Sequence, residues 1–276
     1  MSPMRASSNA RRERALDGLR IVLTRPREQA GDFEQVVGAL GGRPEVAPAI
    51  AIAPPADWRV LDSALDRIEE FDWIAFTSAN VVSALAARAL TRGMSSSRFA
   101  TVKLGAVGSA TATAVAAEFR VPDAIAASPS AAGLGEELPV TPGQRVLVPH
   151  GDLADGTLVD ALRRRGAQPA SVVVYRTVPG EGIPSIVAGL REGTIDALLF
   201  TSGSAVRYVS EALAAGDEPE SNAEHDIQSA IFCIGPSTAR VAISAGFAPD
   251  GIATAATQRS LIDEVVRWFA ARSGSA

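Results

Sequence analysis

Two short hydroxyl-rich segments follow apolar runs at matching places in the chain. Thr77 to Asn80 follows the run Trp73 to Phe76, and Thr201 to Ser204 follows Ile195 to Phe200. Each run is typical of a strand buried on both faces, and each is followed by a helical pattern. Ser, Thr and Asn cap helix N-termini, where backbone N–H groups lack partners and the dipole is positive. The segments can therefore bind a carboxylate or phosphate, or serve only as caps.

These two segments are part of a longer sequence repeat. The separation between copies stays between 124 and 127 residues, and its markers are the pairs Arg20/Arg145, Thr77/Thr201 and Gly108/Gly235. So constant a spacing indicates a duplicated domain in which strands and helices alternate. This alternation predicts an α/β fold with two similar domains, each a parallel sheet flanked by helices.

Ligands of open parallel sheets bind outside the carboxyl ends of the strands. The small or polar turns predicted at those ends are Thr24 to Pro26, Thr77 to Asn80, Gly108 to Thr111, Pro149 to Gly151, Thr201 to Ser204 and Gly235 to Thr238. Their N–H groups and hydroxyls suit carboxylates or phosphates. Capping alone explains any single turn, but the recurrence of such turns at repeat-related positions weakens that interpretation.

Several kinds of chemistry are excluded by what the chain lacks. His150, His225 and Cys233 have no metal-ligand spacing, and Cys233 lies in an apolar strand pattern typical of a buried, unreactive thiol. Neither a dinucleotide-binding nor an ATP-binding glycine motif occurs, and no nucleophile elbow is present. We therefore expect no cofactor and no metal.

Composition limits the partners and the compartment. The net charge of −5 argues against nonspecific nucleic-acid binding, and no apolar segment is long enough to span a bilayer. The single cysteine fits a reducing cytosol, so we expect a cytoplasmic protein. Residues 1–18 are largely polar and arginine-rich, which predicts a disordered leader.

The two copies differ at positions that could carry function. Tyr175 occupies the place of Ile50, and Arg25 occupies the place of His150. A phenol in an apolar strand needs a partner for its hydroxyl, unless it lies at the strand end and points to water. These positions are therefore candidates.

Read in order, six segments resemble the uroporphyrinogen-III synthase family. They are Thr24 to Pro26, Phe76 to Asn80, Val107 to Ala112, Val174 to Thr177, Phe200 to Ser202 and Ile234 to Ala239. The resemblance runs from about Leu19 to Phe269. The chain departs from the family pattern at Ala79 and Gly203, where many members carry proline.

The resemblance implies two α/β domains joined by a two-stranded connector, with an active site in the cleft between them. Domain 1 is then expected at residues 19–49 and 178–272, and domain 2 at 54–171. The connector strands are expected at 50–53 and 172–177. Repetition alone would instead suggest two contiguous halves.

The implied reaction is cyclisation of hydroxymethylbilane, a linear tetrapyrrole bearing acetate and propionate groups on every ring, to uroporphyrinogen III. Water is lost and ring D is inverted, and we expect a monomer acting without a cofactor. We hypothesise that Tyr175 assists the departing hydroxyl, while Thr111 and Thr238 bind carboxylates or orient water and Arg25 supplies positive charge. The other expected substrate-binding residues are Thr77, Ser78, Asn80, Gly108, Ser109, Thr201, Ser202, Ser204, Gly235 and Ser237.

Two other functions share this fold class. A non-catalytic two-lobed binding protein for a phosphosugar or another small anion would use the same turns without Tyr175. A phosphosugar isomerase would need a His or Glu base, which the candidate turns do not provide. Formation of the type III isomer from hydroxymethylbilane separates the three.

Overall fold

A computed structural model describes residues 15–215 and 227–273. Its strands are β1 Arg20–Leu23, β2 Arg43–Val46, β3 Ile50–Ala53, β4 Trp73–Phe76, β5 Lys103–Ala106, β6 Ala124–Ile125, β7 Arg145–Gly151, β8 Gln168–Pro179, β9 Ala197–Phe200, β10 Ala230–Cys233 and β11 Gly251–Ile252. Its α-helices are α1 Phe33–Ala39, α2 Arg59–Asp66, α3 Ala79–Thr91, α4 Ser109–Glu118, α5 Ala131–Glu137, α6 Thr157–Arg164, α7 Ile183–Arg191, α8 Gly203–Ala214, α9 Pro236–Ser244 and α10 Gln258–Ser273.

The chain divides into two units. Unit 1 comprises Met1–Ala51 and Val178–Ala276, and unit 2 comprises Ile52–Thr177. One sheet has the order β11-β10-β9-β1-β2, and the other has the order β3-β8-β7-β4-β5-β6. The β1, β9 and β10 pairings in the first sheet, and the β4, β5 and β7 pairings in the second, are parallel. The expected parallel α/β architecture is therefore confirmed.

Each sheet combines strands from both copies of the sequence repeat. In the first sheet, β1 and β2 come from the first copy, and β9 to β11 come from the second. In the other sheet the origins are reversed, since β7 and β8 from the second copy lie beside β4 to β6 from the first. Leaving β3 aside, both sheets thus have the same order of repeat-related strands. The compact units are not the two sequence halves.

The repeat-related extended segments form different structures. In the first copy the segment is broken at residues 47–49, so that β2 and β3 belong to different sheets. In the second copy it forms one strand of 12 residues, β8. The backbone of β8 pairs with β7 without a break in the strand from Gln168 to Tyr175. In the first copy, the corresponding segment is divided into β2 and β3, which pair with strands of different sheets.

Two sequence-based boundaries need correction. The expected leader reached residue 18, but residues 15–18 form a turn in which Leu16 is fully buried and donates its N–H to the carbonyl of Leu40 at 3.0 Å. Residues 1–14 lie outside the described part of the chain, as does His225. Pro149 to Gly151 were expected in a turn, but they complete β7, because they continue its pairing with β8.

The central strands are buried on both faces, as their apolar composition predicts. All four residues of β4 and all four of β9 are buried, with helices packed against them. In β10, Cys233 is fully buried, and burial raises the pKa of its thiol to about 11. A thiol in this environment is unreactive at neutral pH.

Candidate active site

Ser78 and Ser202 cap α3 and α8 in the same way. The Ser78 hydroxyl accepts a hydrogen bond from the Val81 N–H at 3.3 Å, and the Ser202 hydroxyl accepts one from the Ala205 N–H at 3.2 Å. Both serines have extended backbone angles that are usual for a capping residue. The capping interpretation therefore holds for these two residues. Each hydroxyl still has a proton to donate to a ligand or a neighbouring group.

Glycines take the capping position of α4 and α9. Gly108 and Gly235 both have extended backbones, and neither has a side chain that could bond the first turn of its helix. A Cβ on Gly235 would meet no protein atom within 4 Å, and one on Gly108 would meet Pro129 at 3.2 Å. The first-turn N–H groups of these helices are thus left for another acceptor, such as a carboxylate.

Thr111 and Thr238 are the third residues of these two helices. They are only 5% and 4% exposed, in contrast to the exposed Ser109 and Ser237 nearby. A buried hydroxyl placed identically in both copies, next to a helix N-terminus, can orient a carboxylate or a water molecule. The carboxylate-binding or water-orienting role of the two threonines stays a prediction.

Tyr175 connects β8 to the turn that follows β4. The Ser78 side chain lies near enough to its phenol to influence it, and its ring packs against Gly151 of β7. Burial is the main influence on the phenol and raises its pKa. The polar side chain of Ser78 lowers the pKa, and the negative charge of Asp152 raises it. The net shift is upward, so the phenol is protonated at neutral pH.

Asp152 is a neighbour of Tyr175 that the sequence analysis missed. Its Oδ1 accepts the Thr177 N–H at 2.9 Å, and its own N–H donates to the Tyr175 carbonyl at 3.1 Å. These two bonds hold the residue after β7 against the backbone on either side of Arg176, directly after the tyrosine. Its position directly after an apolar strand, at the end where ligands bind, was the available signal.

Arg25 and its repeat counterpart His150 lie in different surroundings. The Arg25 Nε donates to Gln29 at 3.4 Å, and the guanidinium is partly exposed in unit 1. In unit 2, His150 contacts the Gly151 carbonyl through Nδ1 at 2.8 Å and the Ser171 hydroxyl through Nε2 at 2.6 Å. His150 and Ser171 line a pocket of about 350 Å³ together with Thr77.

Within each unit, the candidate residues gather at one edge of the sheet. In unit 2 they follow β4 and β5, which are neighbours, and Tyr175 reaches the β4 turn. In unit 1, Arg25 and the Thr201 and Gly235 turns follow β1, β9 and β10, which are also neighbours. The structure thus forms two separate groups of hydroxyls and N–H groups, one in each unit.

Metal-binding clusters and membrane-spanning helices are both absent from the described ranges. No group of three or more His, Cys, Asp or Glu residues within residues 15–215 and 227–273 could hold a metal ion. In the same ranges, no helix has the length and apolar character required to cross a membrane.

The fold and these groups define a two-unit α/β protein whose strand ends suit an anionic small molecule. A family model described as uroporphyrinogen-III synthase HemD matches residues 31–263. The chain belongs to the uroporphyrinogen-III synthase family, the cyclising hydro-lyases of tetrapyrrole biosynthesis. The resemblance seen in the sequence is confirmed, which favours an enzyme over a binding protein.

Individual relatives agree with this family. The uroporphyrinogen-III synthase of Synechococcus elongatus is 31% identical over 74% of this chain and 78% of its own length. The porphyrin biosynthesis protein HemD of Ruminiclostridium josui is 28% identical over 70% of this chain, which spans only 39% of that longer protein. A mutant uroporphyrinogen III synthase from Thermus thermophilus has the same fold, with a TM-score of 0.63 and 21% identity, covering 93% of this chain and 100% of its own.

Proposed function

We propose that Tyr175 assists the departure of the substrate hydroxyl when this chain carries out its family's reaction. That reaction is the cyclisation of hydroxymethylbilane to uroporphyrinogen III, with loss of water and inversion of ring D. The observation that carries the proposal is the position of the Tyr175 phenol, packed against Gly151 at the end of β7 and near Ser78 at the carboxyl end of β4. It supports the proposal because a protonated phenol at this position would lie beside groups suited to binding an anionic substrate.

The first chemical step needs a proton donor. Loss of hydroxide from the terminal methylene leaves a cationic azafulvene, and a donor that neutralises the leaving oxygen lowers the barrier. The Tyr175 phenol can donate to that oxygen directly or through water. A phenol keeps its proton at neutral pH, and the upward shift of the Tyr175 pKa by burial acts in the same direction.

The later steps depend mainly on geometry. Ring D attacks through its substituted carbon to give a spiro intermediate, which fragments and recloses with the ring inverted. Because hydroxymethylbilane also cyclises spontaneously to the type I isomer, the enzyme must hold the chain folded for the other route. Fixed dipoles at helix N-termini can bind the carboxylates and thereby set that geometry.

The binding groups are divided between the two units. In unit 2 the proposed contacts come from the N-terminal ends of α3 and α4 and the residues just before them: Thr77, Ser78, Asn80, Gly108, Ser109 and Thr111. In unit 1 they come from Arg25 and from the N-terminal ends of α8 and α9 with the residues just before them: Thr201, Ser202, Ser204, Gly235, Ser237 and Thr238. Support comes from the glycine caps, which leave N–H groups available, and from the buried threonines.

The proportion of product isomers tests this function. Purified protein is incubated with hydroxymethylbilane, and the products are oxidised and separated as uroporphyrins I and III. We expect the type III isomer to predominate over the type I isomer that forms without enzyme. A protein that binds hydroxymethylbilane but leaves only type I product would be a binding protein instead.

We infer that the enzyme is a cytoplasmic monomer that does not bind nucleic acid. The net charge of −5 and the single buried cysteine support this inference. Light scattering should give the mass of one chain across the concentrations used in the assay, and fractionation should recover the activity with cytoplasmic markers. A dimer mass would contradict it.

A further inference from the structure

A groove of about 630 Å³ lies on the surface of unit 1, along helices α8 and α9. Arg207 of α8 and Arg240 of α9 line it together with Ser237, which is already among the proposed substrate-binding residues. The two helices pack closely, since a Cβ on Gly203 would lie 3.0 Å from Val241. The groove therefore follows α9 from Ser237 in its N-terminal turn to Ser244 at its C-terminal end, with two exposed guanidinium groups in its lining.

The two arginines occupy equivalent places in their helices. Arg207 is the fifth residue of α8 and Arg240 is the fifth residue of α9, so each lies just over one turn from its N-terminus. Both are exposed, and the aliphatic part of an arginine can lie along a helix while its head group stays in water. Guanidinium groups so placed extend the positive field of the helix N-termini along the surface.

The other copy of the repeat has no charge at these positions. The counterparts of Arg207 and Arg240 are Ser83 and Thr113, at the same separations of 124 and 127 residues and again fifth in α3 and α4. All four side chains are exposed, so packing does not require arginine at any of them. Positive charge at both positions is a property of unit 1 alone.

Neither guanidinium has an anionic partner among the residues that the structure describes. Other arginines of unit 1 do have one: Arg20 pairs with Glu45 at 2.8 Å, and Arg259 lies 3.6 Å from Asp263. Within residues 15–215 and 227–273, these two cations are thus without a carboxylate partner, in a chain of net charge −5. A planar guanidinium is well suited to bind a carboxylate through two parallel hydrogen bonds.

We propose that the Arg207–Arg240 groove is a substrate subsite that binds an acetate or propionate side chain of the tetrapyrrole. This assignment rests on the proposed function and adds a charged anchor to it. The hydroxyl and N–H groups at the strand ends bind other carboxylates, and the groove fixes one outlying side chain. Ser237 contributes to both regions.

A double substitution, R207Q/R240Q, tests the subsite with a stable probe. Uroporphyrin III carries the carboxylate side chains of the product, and its binding can be followed by its fluorescence. We expect the double variant to bind it about tenfold more weakly, because two charge-assisted contacts at an exposed site are lost. Its affinity should also fall less with added salt than that of the wild type.

Two further variants serve as controls. R43Q/R272Q removes the same charge from unit 1, but Arg43 begins β2 and Arg272 lies in the last turn of α10, away from helix N-termini. It should bind uroporphyrin III as the wild type does. R207K/R240K retains the charges without the planar fork, so it should recover part of the affinity and the salt dependence.

The outcomes separate this proposal from the function on which it rests. If the wild type fails to form the type III isomer, the proposed function is wrong whatever the arginines do. If the wild type forms it and R207Q/R240Q binds and turns over like R43Q/R272Q, the subsite is refuted and the function stands. Weak binding together with a lowered melting temperature in R207Q/R240Q alone would assign the arginines to stability instead and would also refute it.

Discussion

The ring of Tyr175 lies so close to Gly151 that a Cβ on the glycine would stand 2.6 Å from two ring carbons. A shift in register between His150 and Gly151 brings this glycine opposite the tyrosine. Gly151 has no positive φ to explain its identity, so the close approach of the ring is the reason for a glycine here.

Substituting Gly151 with alanine should displace the phenol. We expect G151A to lose about 1–3 kcal/mol in the free energy of unfolding, the usual cost of overpacking, and to lose activity because the ring moves away from Ser78. Urea unfolding and isomer analysis measure the two effects. In a Tyr175→Ala background the same substitution should cost less. An equal cost in both backgrounds would show that the ring does not explain the glycine.

The phenol itself is tested by Tyr175→Phe. This change removes only the hydroxyl, so the fold should persist while turnover falls about a hundredfold, as expected when a proton donor is lost. Tyr208→Phe, which alters the other tyrosine of the chain, is the matched control and should keep its activity. Full turnover by Y175F would exclude the proposed role.

The effect of the Asp152 charge should be measurable as a change in the pKa of the Tyr175 phenol. The carboxylate raises the pKa of Tyr175, so Asp152→Asn should lower it, and the phenol should then ionise at a lower pH. If the protonated phenol is needed, activity should be lost at a correspondingly lower alkaline pH. The absorbance of tyrosinate reports the pKa directly in a Y208F background, where Tyr175 is the only tyrosine.

Two comparisons complete that experiment. Asp152→Ala also removes the acceptor of the Thr177 N–H, so it should lower stability more than the asparagine variant does. Asp160→Asn, an exposed change on α6, should leave the pKa of Tyr175 where it is. An unchanged pKa in D152N would show that Asp152 acts only through its hydrogen bond.

Substitution of Gly235 should affect substrate binding without affecting the packing of the fold. Because a methyl group there would meet no protein atom within 4 Å and the backbone is extended, G235A should fold and melt like the wild type. It would, however, block the N-terminal turn of α9, and we expect KM for hydroxymethylbilane to rise about tenfold from the loss of one N–H contact to a carboxylate. Gly38→Ala, a methyl group added within α1, is the control.

Local sequence patterns predicted much of this structure. The apolar runs of β4 and β9 and the serine caps that follow them were readable because strand burial and capping depend on neighbouring residues. The matching geometry of Gly108 and Gly235 followed from the repeat.

Features that depend on how residues far apart in the sequence pair could not be predicted from local patterns. The register shift that brings Gly151 to Tyr175 is fixed by how two strands pair, and the sequence of β7 alone gives no sign of it. For the same reason the sequence predicts a turn at Pro149 to Gly151, where the structure has the end of β7. Whether Arg207 and Arg240 have an anionic partner likewise depends on which acidic residues the fold brings near them.

The exchange of strands between repeat copies also bears on how the chain is completed during synthesis. Unit 2 is one continuous segment, whereas β1 pairs with β9, which is made about 175 residues later. Because the ribosome synthesises the chain from its N-terminus, all strands of the unit 2 sheet are available before β9 has been made. Unit 2 can therefore form its sheet before β1 can pair with β9. The two units share a topology, yet unit 1, whose first strands are synthesised before those of unit 2, is completed after it.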